Sequence, residues 1–99
     1  MNTRLAKNRR IRIALLELLK SAYPGALDGR ALMFAMDNLG YPLPEGRLSA
    51  HLSYLQEKGY LLVREQKGEG YDVSFASLTA EGWDLLDGIH EDGGVDTRL

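Results

Sequence analysis

The chain has no cysteine and only two histidines, and these absences exclude several kinds of site. Without cysteine, its 99 residues cannot form disulfides, thiolate zinc sites, iron–sulfur clusters or cysteine nucleophiles. The two histidines, His51 and His90, are far apart in the sequence, which argues against a dedicated metal site or a histidine-based catalytic centre. We therefore predict that the protein is not an enzyme, uses no cofactor or metal, and is stabilised by packing alone.

Long apolar runs are also missing. The longest, from Ala31 to Met36, is far shorter than the ~20 residues that cross a bilayer. The basic N-terminus, which includes Arg4 and Lys7, is not followed by an apolar stretch of signal-peptide length. No membrane partner is expected, and a cytoplasmic location is predicted.

Size and charge predict one domain followed by a tail. A chain of 99 residues, 44% of them hydrophobic, suffices for one modest core, which we place in residues 1–89. Residues 1–30 hold seven lysines or arginines against two acids, whereas residues 79–99 hold one arginine against six acids. The sequence therefore predicts a basic N-terminal segment and a flexible acidic tail at residues 90–99.

Apolar periodicity predicts a first helix over about residues 8–22. Ile11, Leu15 and Leu19 recur on one face at helical spacing. Pro24 ends the helix because proline cannot continue the hydrogen-bond ladder and disfavours helical geometry in the residue before it.

A second helix is predicted over about residues 29–39. Asp28 is a favourable N-cap, and Gly40 follows the last periodic position as a stop signal. The predicted buried positions are Leu32, Ala35, Met36 and Leu39.

A third helix is predicted over about residues 45–58, after a short connector stiffened by Pro42 and Pro44. Glu45 would lie at the positive end of its dipole, and Gly59 would end it. The predicted buried stripe consists of Leu48, Leu52 and Leu55.

Beyond this helix the pattern becomes extended. Residues 60–66 are rich in strand-favouring side chains, residues 67–70 contain two glycines, and residues 71–77 alternate apolar and small or polar positions. This pattern predicts a β-hairpin, to which Ala26-Leu27 would add a short strand. A fourth helix is predicted over about residues 80–89.

Two residues of the fourth helix carry specific expectations. Thr79 is a suitable N-cap. Gly82, inside the helix, costs about 1 kcal/mol relative to alanine, so we expect another part of the backbone to approach it closely.

This order of elements is that of a winged helix-turn-helix. The predicted fold class is α+β, mainly α, with three helices, a β-hairpin wing and a C-terminal helix. The second and third helices would form the helix-turn-helix.

Two segments, and the chain as a whole, also resemble known families. Residues 46–61 look like the recognition helix and first wing strand of winged-helix regulators, and residues 78–86 are similar to the segment that opens the last helix in the MarR, PadR and ArsR groupings. Residues 9–98 resemble small proteins encoded in Mu-like prophages. The resemblance implies a DNA-binding regulator in a phage context. The absence of cysteine ligands departs from the metal-sensing ArsR members.

In a winged helix the third helix enters the major groove of double-stranded DNA, so its outward side carries the candidate base contacts. An arginine there can contact guanine, serines can reach phosphates or base edges, and a small residue lets the helix approach. The candidates are Arg47, Ser49, Ala50, Ser53 and Tyr54.

Other basic residues are candidates for contacts to the phosphate backbone. One set flanks the third helix or lies in the wing, and comprises Arg30, Lys58, Arg64 and Lys67. The other set lies in the N-terminal segment, which would act as an arm along the backbone or in the minor groove, or alternatively as a solubilising cap on the first helix. Its residues are Arg9, Arg10 and Arg12.

A homodimer is predicted from apolar positions outside the expected core stripes. Ile13 and Leu16 lie on the second side of the first helix, near the line of Leu5, and the fourth helix adds Leu85 and Ile89. Two-fold pairing would match a palindromic DNA site.

Two functions remain open on the sequence. The first is a phage or prophage transcriptional regulator or accessory DNA-binding factor. The second is a winged-helix protein-interaction module without DNA binding, which the net charge of −2 and the sparse positive charge of the third helix favour. Fold alone does not separate them.

Overall fold

A computed structural model describes residues 3–96 of the chain, apart from the side chain of Tyr71. Four helices and three strands follow the predicted order. The helices are α1 (Thr3–Ala22), α2 (Gly29–Asn38), α3 (Glu45–Glu57) and α4 (Ala80–Leu86), and the strands are β1 (Ala26–Asp28), β2 (Leu61–Gly68) and β3 (Tyr71–Leu78).

Helix α1 is longer than predicted and lies at the centre of the fold. It begins at Thr3 instead of about residue 8, because residues 3–10 contain no glycine or proline and include good helix formers such as Leu5 and Ala6. Helices α2 and α4 and strands β1 and β3 all pack against it. A helix with partners on several sides buries more than one apolar stripe.

This packing corrects the predicted dimer interface. Ile13 and Leu16 are buried inside the chain, as is Leu85 on α4, so the prediction is wrong for these three residues. The second apolar stripe of α1 meets neighbouring elements of its own chain. Leu5 and Ile89 are 49% and 70% exposed, and they remain at the surface.

The helix-turn-helix forms as predicted, with one difference at the end of α2. The Asp28 carboxylate accepts a hydrogen bond from the Ala31 N–H at 2.8 Å, which caps α2. Leu32 and Met36 are fully buried. Leu39, predicted to be buried, is 54% exposed because it lies just after the last helical residue.

The sheet is antiparallel, with strand order β1-β3-β2. Strands β2 and β3 pair from Leu61 opposite Leu78 to Gly68 opposite Tyr71, so the turn is shorter than predicted and consists of Glu69-Gly70. Gly70 has a φ of +81°, which glycine adopts without the penalty that other residues incur. Leu61, Ala76 and Leu78 contribute the buried side chains of the sheet.

The predicted flexible tail is wrong for residues 90–96, which we call the C-terminal segment. Val95 is 1% exposed and belongs to the core. The Asp96 N–H donates to the Arg9 carbonyl at 3.3 Å, and the Tyr60 hydroxyl donates to Asp92 Oδ2 at 2.6 Å. The remainder of the predicted tail, residues 97–99, lies outside the described residues.

Candidate nucleic-acid interface

Helix α3 separates a buried face from an exposed one. Its leucines at positions 48, 52 and 55 are buried as predicted, because they recur on one side of the helix. The exposed residues include four of the predicted DNA contacts, namely Arg47, Ser49, Ala50 and Ser53. Helix α3 therefore offers a polar, small-residue surface to an external partner.

A concave pocket with a volume of about 400 Å³ lies between α1 and α3, and we call it the basic cleft. On α1 its residues are four positions apart, and on α3 they are three or four apart, so each helix contributes one face. The lining contains three guanidinium groups and no carboxylate. Its members are Arg4, Asn8, Arg12, Arg47, Ala50 and His51.

Arg12 is fixed by three parts of the fold. Its Nε donates a hydrogen bond to His51 Nδ1 at 3.3 Å, and its Nη1 donates to the Gly94 carbonyl at 3.1 Å. The guanidinium carbon lies 3.8 Å from the ring centroid of Tyr54, at cation–π distance. Arg12 thus belongs to the folded domain, and its predicted contact to phosphate stays a prediction.

His51 is 5% exposed and was not among the predicted site residues. Burial, and after it the positive charges of Arg12 and Arg47, lower the pKa of His51 to about 4. The imidazole is therefore neutral at neutral pH. Since Nδ1 accepts from Arg12, its proton is assigned to Nε2.

The low pKa of His51 predicts an acid-sensitive fold. Because the folded pKa lies below the unfolded one, stability is complete above the unfolded pKa and is lost as pH falls toward the folded value. Between about pH 7.5 and pH 5 we expect the free energy of unfolding to fall by about 2 kcal/mol through this group. Chemical denaturation at a series of pH values measures the loss.

The control for this prediction is His51→Gln, which keeps a polar side chain but does not titrate. Carboxylates contribute equally to both proteins, so the difference between the two stability profiles isolates His51. Parallel profiles would show that the imidazole titrates normally in the fold.

Tyr54 and Lys58, both predicted DNA contacts, lie against the C-terminal segment. Lys58 Nζ lies 3.5 Å from Asp92 Oδ2 and 5.6 Å from the centroid of the Tyr54 ring. Glycine at position 94 allows this packing, since a Cβ there would overlap the Tyr54 hydroxyl. Both side chains are thus held by contacts within the chain.

Asp92 is the hub of these contacts. Burial alone would raise its pKa, but hydrogen bonds from the Tyr60 hydroxyl and the Gly94 N–H, together with the charge of Lys58, hold the pKa below its usual value. Burial and the hydrogen bond to Asp92 raise the pKa of Tyr60. His90 stacks on Tyr60 with ring centroids 5.8 Å apart. This part of the predicted tail is ordered by specific contacts.

The other predicted phosphate contacts do not line the basic cleft. Arg10 is exposed, but it lies roughly 160° around α1 from Arg12. Arg9 is partly buried, and its Nε has no hydrogen-bond partner within the part of the chain that the structure describes. Arg64 and Lys67 are exposed on β2, where Lys67 pairs with Asp72 across the hairpin.

Arg30 borders a second groove, formed mainly by apolar side chains at the helix-turn-helix. Phe34 in this groove is 70% exposed, and it lies outside the predicted buried positions of α2. We call this surface the Phe34 groove. Its lining also includes Met33, Asp37, Pro42, Leu43 and Pro44.

Residues 3–96 contain neither a helix suited to span a membrane nor a cluster of metal-ligating side chains. No helix in this range is both long and apolar enough to cross a membrane. The same residues contain no group of three or more histidine and carboxylate side chains placed to hold a metal ion.

Comparison with known proteins establishes the fold. No protein-family model and no curated protein match the chain. It is similar to a solved structure of a proposed transcriptional regulator from Thermoplasma acidophilum, with a TM-score of 0.61 and 20% identity over 75% of this chain and 71% of that one. It is also similar to a PadR-family transcriptional regulator from Eggerthella lenta, with a TM-score of 0.62 and 23% identity over 80% of this chain and 70% of that one. The chain thus has the α+β winged-helix fold, with a β2-β3 wing and a C-terminal helix, as its sequence predicted.

Proposed function

We propose that the protein binds double-stranded DNA and regulates transcription without enzymatic activity. The observation that carries this proposal is the exposed face of α3, where Arg47, Ser49, Ala50 and Ser53 are accessible beside the basic cleft. In a winged helix this face enters the major groove. The two similar structures belong to proteins described as transcriptional regulators, which supports the same function.

The residues of this face suit a DNA contact in different ways. Ala50 has no side chain beyond Cβ, so the helix can approach the groove closely. Ser49 and Ser53 supply hydroxyls for phosphates or base edges, and Arg47 supplies positive charge at the border with the basic cleft. Arg30 and Arg64, exposed on α2 and on the wing, are placed on other elements to contact flanking phosphates.

Two finer features belong to the same proposal. A homodimer would pair two copies on a palindromic site, and the exposed Leu5 and Ile89 are the remaining candidates for its interface. The phage context rests on the sequence resemblance to Mu-like prophage proteins.

A variant that introduces a negative charge tests the DNA-binding face. Ser53→Glu places a carboxylate on the exposed side of α3, where phosphates or base acceptors would repel it. We expect binding to random-sequence duplex DNA to weaken by about ten-fold or more. Fluorescence anisotropy at several salt concentrations measures the affinity, and the unmodified protein should show a linear fall of log affinity with log salt.

The matched control is Ser21→Glu, which makes the same change on an exposed position near the end of α1. This variant should bind like the unmodified protein. If the unmodified protein shows no salt-dependent affinity for any duplex, the DNA-binding proposal is wrong. Equal losses in the two variants would place the DNA surface elsewhere.

The second candidate function is a protein-interaction module, and the Phe34 groove favours it. A phenylalanine that is 70% exposed beside Met33 and Pro42 is an apolar surface of the kind that protein partners cover. This function becomes the better one if the unmodified protein does not bind DNA.

A further inference from the structure

The basic cleft concentrates positive charge in a chain that is acidic overall. Three of the chain's 12 basic residues line one concave surface, while its net charge is −2. Within residues 3–96, neither Arg12 nor Arg47 forms an ion pair with a carboxylate. Like charges gathered in one partly enclosed space repel each other, and an anion between them removes that repulsion.

Arg12 gives this cleft a rigid wall. A guanidinium has five N–H donors, and the fold uses one at Nε for His51 and one at Nη1 for the Gly94 carbonyl. The remaining donors are available to a ligand. Because the Tyr54 ring and the C-terminal segment hold the group in place, little side-chain entropy is lost when an anion binds to it.

His51 adds a hydrogen-bond donor to the basic cleft while remaining neutral at neutral pH. Its imidazole accepts from Arg12 at Nδ1, so Nε2 carries the proton and can donate. The low pKa of about 4, caused by burial and then by Arg12 and Arg47, is consistent with a positive potential at this position. Asn8 adds an amide donor from α1.

We propose that the basic cleft binds a phosphate group, with Arg12 as the fixed donor and the exposed Arg47 as the second donor. Arginine forks match phosphate oxygens in pairs, and guanidinium groups on two helices can contact different oxygens of one tetrahedral group. Ala50 leaves room for the ligand because it has no side chain beyond Cβ. The phosphate comes either from the DNA backbone, in which case the site rests on the proposed function, or from a free phosphorylated molecule.

Inorganic phosphate is the probe for the site itself. We expect it, but not chloride at equal ionic strength, to cause saturable NMR shifts at the backbone amides of Asn8 and Ala50 and at the His51 ring. Arg47→Ala should weaken the phosphate affinity by about ten-fold, since hydrogen bonds between charged groups are strong. Arg47 is exposed and without a partner in the described chain, so this variant should fold normally.

The matched control is Lys20→Ala, which removes one positive charge about two turns of α1 beyond Arg12 and outside the basic cleft, and which should leave phosphate affinity unchanged. Arg12→Lys adds a second test, because it keeps the charge but loses the fork geometry. It should also weaken phosphate binding. The inference is overturned if phosphate shifts do not saturate, or if Arg47→Ala and Lys20→Ala alter them equally.

Competition with DNA distinguishes the two sources. If the cleft holds a backbone phosphate, replacing chloride by phosphate at equal ionic strength will release duplex DNA, and this release will be smaller in Arg47→Ala. If phosphate binds without releasing DNA, or the protein binds no DNA at all, the cleft is a site for a free phosphorylated molecule and the inference stands. If DNA binds with a steep salt dependence but phosphate does not saturate, the inference fails while the proposed function stands.

Discussion

Replacing Gly82 with alanine is expected to lower the free energy of unfolding by about 3 kcal/mol, because the new methyl group has no space. A Cβ at this position would overlap the Tyr60 carbonyl oxygen and lie 2.7 Å from Leu78 Cδ1. The carbonyl cannot move away easily, since it accepts a hydrogen bond from the Thr79 N–H at 3.1 Å. Chemical denaturation measures the loss.

Gly46→Ala is the matched control for this substitution. Gly46 also lies near the start of a helix, and a Cβ there meets no atom within 4 Å. Alanine should therefore leave stability unchanged or raise it slightly through its higher helix propensity. A Gly82→Ala protein as stable as the Gly46→Ala protein would show that the first turn of α4 can move away from Tyr60.

The substitution Leu16→Ala is expected to cost about 3 kcal/mol of stability and to leave the oligomeric state unchanged. Leu16 is completely buried within one chain, and truncation of such a leucine loses its burial energy and leaves a cavity. Denaturation measures the first effect, and sedimentation at micromolar concentration measures the second.

The comparison is Leu5→Ala on the same helix. Leu5 is 49% exposed, so its truncation should cost less than about 1 kcal/mol. If Leu16→Ala dissociates a dimer without lowering the stability of the monomer, Leu16 lies between chains. The assignment of the second stripe of α1 to the core is then wrong.

The parts of the fold that local signals determine could be predicted from the sequence. Asp28 and Thr79 cap the helices as expected, with hydrogen bonds to the Ala31 and Gly82 amides. The close backbone approach inferred from Gly82 is also present. Such features depend on a few neighbouring residues or on one severe steric requirement, so they can be inferred from the sequence without knowledge of the whole fold.

The errors about the dimer interface and the tail concern contacts between distant parts of the chain. An apolar stripe such as Ile13 and Leu16 shows that a partner exists, but the pattern is the same whether the partner is β3, α4 or a second molecule. The C-terminal segment has the composition of a mobile tail, yet Asp92 forms an ion pair with Lys58 and Val95 is buried in the core. Composition does not report such complementarity.

The candidate site was predicted only in part, because it too depends on contacts between distant parts of the chain. The outward residues of α3 follow from helical periodicity, and Arg47 and Ala50 line the cleft. The contribution of Arg4 depended on α1 beginning at Thr3, because only then do it and Arg12 share a helical face. His51 lies at the edge of the buried stripe, where periodicity alone does not distinguish a core residue from a site residue.

The central position of α1 has a consequence for synthesis on the ribosome. This helix is made before β3 and α4, two of the elements that cover it. Until those elements have left the exit tunnel, the nascent protein exposes apolar surface on α1, which includes Ile13 and Leu16. The emerging chain is therefore a natural substrate for chaperones that bind hydrophobic segments.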